Sequence, residues 1–120
     1  MNDKVIVISD CDVPMMNVQW GRTKILLGPG SEAQDPGVMM KITEYAPGGA
    51  HDWHSHADQC EVIFVLSGRG LTETAAGKRE IVPGDMVYVP RGVRHATYNI
   101  HVEPLRAIIL KSPPDTEPGH

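Results

Sequence analysis

Four residues of the chain have the types and the spacing to hold a metal ion: His54, His56, Glu61 and His95. Side chains alternate faces along a strand, so in an extended His54-Ser55-His56 the two imidazoles point the same way and offer two nitrogens to one ion. Glu61 follows after four residues, Ala57 to Cys60, enough chain to turn and return a carboxylate to the same interior. His95 arrives much later, two residues after a Pro90-Arg91-Gly92 turn. Three neutral imidazoles and one carboxylate suit one divalent transition metal per chain, whether iron, manganese, nickel, copper or zinc, with a metal–nitrogen distance of ~2.1 Å for zinc as a guide. Four protein ligands on an ion that prefers five or six leave positions open for substrate, water or dioxygen. Such an open site is expected to be reactive, with Glu61 serving as ligand and as a possible proton acceptor.

The elements that must position these residues are strands. Twelve Gly and ten Pro punctuate the 120 residues, and between them lie short runs rich in Val, Ile, Leu and Met, an all-β rhythm. Strands are expected near Val5–Ile8, Lys24–Leu27, Val38–Tyr45, Trp53–His56, Glu61–Leu66, Leu71–Thr74, Glu80–Val82, Met86–Val89, His95–Ile100 and Leu105–Leu110, with no stretch of helical period. After Glu61 the strand EVIFVL is apolar on both alternation classes, so it should be covered on both faces. Closing such a set of strands into a barrel or double-sheet jelly roll limits the unpaired edges that invite aggregation.

These residues and spacings resemble the two motifs of the cupin superfamily. Gly48, five residues, His54-Ser55-His56, four residues, Glu61, six residues and Gly68 fill the first motif. Gly84, five residues, Pro90-Arg91-Gly92, two residues, His95, three residues and Asn99 fill the second. The fifteen residues between the motifs, Arg69 to Pro83, are of the short type found in compact bacterial single-domain, dioxygenase-like members. The resemblance implies an all-β, single-domain double-stranded β-helix, a jelly-roll barrel, with residues 38–111 as its core. Residues 1–37 would pack on it as N-terminal strands and loop, and the Pro-rich residues 112–120 would form a loosely ordered tail.

The remaining notable residues have plainer readings beside the chemical ones. Gly68 and Gly84 fall where turns call for positive φ, and Pro90 and Gly92 shape the turn that aims His95 inward. Asn99 shares the parity of His95, and hydrogen bonding to a loop backbone is its favoured role. His51 has the opposite parity to His54 in a regular strand and reads as a surface histidine rather than a neighbour of the metal; His101 and His120 read as solvent-exposed. Cys60 reads as a packing residue pointing away from the metal, and Trp53 as an outward residue suited to a dimer contact. Substrate contacts are assigned to Thr43 and Tyr45, or to Ile42 and Glu44 in the other register, with Met86 or Tyr88. Arg94, and less so Arg91, would meet a substrate carboxylate.

A formal charge of −4 and a pI near 5.8 give no clustered cationic footprint for nucleic acid or anionic lipid. No uncharged run is long enough for a membrane span or secretory leader, so a cytoplasmic protein is expected. Cys11 and Cys60 are too few for a disulfide framework and are taken as reduced. The expected function is a metal-dependent enzyme acting on a small oxygenated or carboxylated organic molecule, by dioxygenase-like, isomerase, lyase or decarboxylase chemistry. The alternative is a non-enzymatic small-molecule-binding or sensor protein that uses the metal as an anchor. Strands apolar on both faces point to a homodimer.

Overall fold

The computed structural model describes residues 4–116. After a single 3-10 turn at Asp10–Asp12, ten strands follow in order: β1 (Met16–Val18), β2 (Gly21–Leu27), β3 (Met39–Tyr45), β4 (Ala50–His54), β5 (Cys60–Ser67), β6 (Gly70–Thr74), β7 (Gly77–Ile81), β8 (Met86–Val89), β9 (His95–Tyr98) and β10 (Leu105–Ser112). They form a six-stranded sheet in the order β1-β2-β3-β10-β5-β8 and a four-stranded sheet in the order β4-β9-β6-β7. The pairings between these strands are antiparallel. This is the double-stranded β-helix expected from the motifs. Among the described residues, no helix is long and apolar enough to cross a membrane.

Alternation along β10 sets the inner face. Leu105, Ala107, Ile109 and Lys111 are buried, while the residues between them are only half-buried. Register then aligns Ala107 with Thr43 and Val65, and Ile109 with Lys41 and Ile63. The core lies between the sheets: Tyr45, Val65 and Leu105 of the larger sheet pack with Ile81 of the smaller one, and Trp20 and Val87 close over them. The outermost strand of the smaller sheet, β7, carries Lys78, Arg79 and Glu80 exposed, a charged row that discourages further strand pairing.

Several expectations are corrected. Val5–Ile8 is not a strand: the segment pairs with none of the sheets, and Val5 and Val7 are exposed. The strand at this end is instead Met16–Val18, which folds back on Gly21–Thr23 through a short turn at Gln19–Trp20. The β4 strand ends at His54, where its pairing with His95 stops, so His56 lies beyond the strand rather than two places along it. On β8 the inner parity belongs to Val87 and Val89, so Met86 and Tyr88 face outward, 58% and 56% exposed, and Tyr88 does not line the interior. The two-faced apolar strand β5 is covered on its inner side only, since Phe64 and Leu66 remain exposed. Finally, the chain just after β10 is not loose. Pro113 and Asp115 are fastened by Gln59, whose Nε2 donates to Pro113 O at 2.8 Å and to Asp115 Oδ1 at 2.9 Å. His120 lies outside the described residues.

Candidate metal centre

The strand ends of both motifs converge on one point. Ligand atoms of His54 on β4, Glu61 on β5 and His95 on β9 all lie within 4.8 Å of one another, and His95 Nε2 is 3.9 Å from Glu61 Oε1. His56 stands just outside this triad, its ring edge-on to that of His54 with centroids 5.4 Å apart. Its backbone is tied to the second motif, because Gly92 N donates to His56 O at 2.9 Å. Gly92 has φ +78°, a left-handed conformation open to glycine at little cost, and this lets the Pro90–Gly92 turn meet the His56 loop.

The imidazoles are oriented from behind. His54 Nδ1 lies 2.7 Å from Asp52 O, and His95 Nδ1 lies 3.1 Å from Val93 O. Each carbonyl accepts the Nδ1 proton, which leaves the Nε2 lone pair directed inward, the arrangement metal-ligating histidines use. The buried His54 Nε2, His56 Nε2, Glu61 Oε2 and His95 Nε2 make no hydrogen bond within the protein. An unsatisfied buried acceptor costs about 1–3 kcal/mol, so the three that converge, on His54, Glu61 and His95, form a costly set that a divalent cation relieves. The residues therefore fit a metal of the nitrogen-and-oxygen type.

Electrostatics around the centre agree. Burial pushes the His54 and His56 rings below the ordinary histidine range, so they are neutral at neutral pH and ready to ligate. Burial alone would raise Glu61, but the His95 ring and the Lys111 ammonium hold it below the usual carboxylate range. Burial would likewise lower His95, yet Glu61 and the Val93 carbonyl draw it up.

His51 is the residue sequence reasoning missed. A register shift between His51 and His54 on β4 cancels the parity that would have turned it outward. Its ring stacks on His54 at 4.0 Å and on Trp20 at 4.8 Å, and Trp20 stacks in turn on Tyr45 at 4.7 Å. Desolvation holds the His51 ring down to about 3. Two lysines were missed as well. Lys41 and Lys111 are on the inner face, 2% and 3% exposed, and with Thr43, Tyr45, His51 and Glu61 they surround a cavity of about 10 Å³, room for a single water. Their inner parity was visible in the strand pattern, but lysine is so rarely buried that its position drew no attention.

The other expected site residues fall in different places. Thr43 and Tyr45 face the interior. The Thr43 hydroxyl is 2.9 Å from that of Thr23, and burial pushes the Tyr45 hydroxyl well above its ordinary range. Arg94 is exposed, with its guanidinium 5.3 Å from the centre of the Trp53 ring. Arg91 clamps backbone, donating to Asp58 O and Ser112 O. Asn99 has the structural role, since its Nδ2 donates to Tyr45 O and Glu103 O and its Oδ1 accepts from His101 N. Cys60 Sγ approaches Ser112 O at 3.6 Å. A cleft of about 800 Å³ opens beside β4, lined by Trp20, His51, Trp53 and His54 among others.

Residues 41–111 match the family model of the cupin domain, Cupin_2. The chain belongs to the cupin family. It is 36% identical over 78 residues to an uncharacterised protein of Streptomyces coelicolor, covering 64% of this chain and 73% of that protein. It is 35% identical over 68 residues to germin-like protein 3-7 of Oryza sativa subsp. japonica, covering 52% of this chain but 29% of that protein, so the chain spans under a third of that plant relative. Among solved structures, KdgF from Halomonas sp. superposes with a TM-score of 0.83 at 20% identity, covering 94% of this chain and 97% of that one. The DMSP lyase DddQ from Ruegeria pomeroyi superposes with a TM-score of 0.75 at 21% identity, covering 91% and 60%. At these identities the structural likenesses establish the fold.

Proposed function

We propose that the protein is a metal-dependent enzyme acting on a small oxygenated or carboxylated organic molecule, with one divalent transition metal held by His54, His56, Glu61 and His95. The observation that carries this reading is the convergence of His54, Glu61 and His95 within 4.8 Å, each with a buried polar atom that lacks a hydrogen bond, and with His56 beside them in the same condition. A metal bound there supplies Lewis acidity or, if it is iron, reaction with dioxygen. The chain's own residues do the rest. The Asp52 and Val93 carbonyls hold the His54 and His95 rings in one tautomer and one orientation. Glu61 is buried and ionised, and is the nearest group able to accept a proton from a molecule seated at the centre. Trp20, His51 and Trp53 wall the cleft through which such a molecule approaches.

The test is elemental analysis of protein purified without an affinity tag or added metal, beside the His54→Ala and His95→Ala variants. The expected result is close to one metal ion per wild-type chain and a sharp loss in both variants, with far-UV circular dichroism unchanged. Undiminished occupancy in the variants would mean the ion is held elsewhere.

A further inference from the structure

Resting on the metal-centre reading above, we propose that Lys41 and Lys111 form a carboxylate subsite adjoining that centre, and that the side chain of Asp115 is its internal occupant, displaced when an anionic substrate binds.

Lysine is almost never fully buried without a partner that compensates its desolvation. Here two lie on the inner face of adjacent strands, β3 and β10, where apolar residues would pack at less cost. Lys111 pairs in register with Glu61 on one side and Met39 on the other, which places it next to the metal-binding carboxylate. Lys41 shares with it the wall of the small interior cavity that Glu61 and His51 also line. Burial and the neighbouring Lys111 bring Lys41 down to about 8, while Asp115 and Glu61 oppose this, so Lys41 remains cationic at neutral pH.

The site is built for a carboxylate and already contains one. Asp115 Oδ2 accepts from Lys111 Nζ at 3.0 Å and Asp115 Oδ1 accepts from Gln59 Nε2 at 2.9 Å, with the Asp115 side chain 8% exposed. Unlike Glu61, this carboxylate is not on a strand. It belongs to a strap after the end of β10, held by Gln59, by Arg91 at Ser112 and by the contact of Asp115 N with Met39 Sδ. The strap also forms one wall of an outer cleft of about 510 Å³, where Pro113 and Asp115 face Pro29, Gln34 and Pro36, so Asp115 lies between Lys111 and open space. The charges select the ligand class. Lys41 and Lys111 balance Glu61 and Asp115, and a divalent cation at the centre leaves two positive charges in excess, so the interior favours anions over neutral molecules.

The test uses glycolate as the probe and glycolamide as its neutral counterpart, titrated calorimetrically into the metal-loaded and the metal-free protein, with the metal content of every sample measured. In the metal-loaded protein glycolate is expected to bind more tightly than glycolamide. Lys111→Met and Lys41→Met should each lose about tenfold or more in glycolate affinity, the scale of a charged hydrogen bond, with glycolamide unaffected. Asp115→Asn should gain about threefold or more, because an internal competitor is weakened. A merely structural ion pair predicts no gain from Asp115→Asn. The proposal is overturned if glycolate fails to bind in the millimolar range, if the lysine variants bind it as the wild type does, or if Asp115→Asn binds it more weakly. Wild-type protein that takes up no metal sinks the metal reading alone, since Lys111-dependent glycolate binding in the metal-free protein would still support the subsite.

Discussion

His51 is held neutral where an unperturbed histidine would titrate, and this gives the metal-free protein a particular response to acid. In the unfolded chain the residue takes up a proton near 6.5, whereas in the folded barrel, desolvated between Trp20 and His54, it does so only at about 3. Over that interval the unfolded state binds more protons, so stability is full above 6.5 and declines as pH falls toward 3. Denaturant titrations in chelator across this range should show the decline, and His51→Phe, which stacks without titrating, should show a shallower one. An identical slope in both proteins would mean His51 is not buried as described. Three of the four expected ligands, His54, Glu61 and His95, do come together, and they were legible because their types and spacings are selective. His51 was not, because its orientation depends on one irregular step in β4 pairing, and a parity argument assumes that no such step occurs.

At the scale of elements, the turns that aim the site depend on glycine geometry. Gly68, between β5 and β6, has φ +78°, and a Cβ there would lie 2.2 Å from Pro104 O. Both the backbone conformation and the contact penalise a side chain, so Gly68→Ala should destabilise the fold by about 2 kcal/mol or more, read from the midpoint of urea unfolding. An alanine variant within about 0.5 kcal/mol of wild type would remove the argument. The need for glycine at this position was readable from its place between two strand patterns, as was the loop-bonding role of Asn99. Strand existence was readable too, but strand phase was less so. Val5–Ile8 has a strand composition without a partner strand in its own sheets, and on β8 sequence left Met86 and Tyr88 as interior candidates although Val87 and Val89 have the inner places. Alternation gives two classes of residue on each strand, and only packing against the second sheet decides which class is inside.

At the scale of the whole molecule, the outer face of the larger sheet is left apolar. Register places Phe64 beside Met86 and Ile108, and Val62 beside Tyr88 and Leu110, and of these Phe64, Met86 and Tyr88 are exposed. Contiguous apolar surface of this kind marks an interface. We propose that a second copy covers it as a two-fold homodimer. Sedimentation at micromolar concentration should give a dimer that Phe64→Glu converts to monomer, and a wild type that sediments strictly as a monomer would remove the idea. Barrel and turns bring the His54 and His95 imidazoles and the Glu61 carboxylate together, with the His56 ring beside that of His54, and we propose that His56 completes a four-residue metal site. The measurement that tests this most directly is X-ray absorption on the zinc-loaded protein. The predicted result is a first shell of nitrogen and oxygen at about 2.0–2.1 Å with the multiple-scattering signature of three imidazoles. A sulfur neighbour at about 2.3 Å, or a shell with no more than one imidazole, would contradict it.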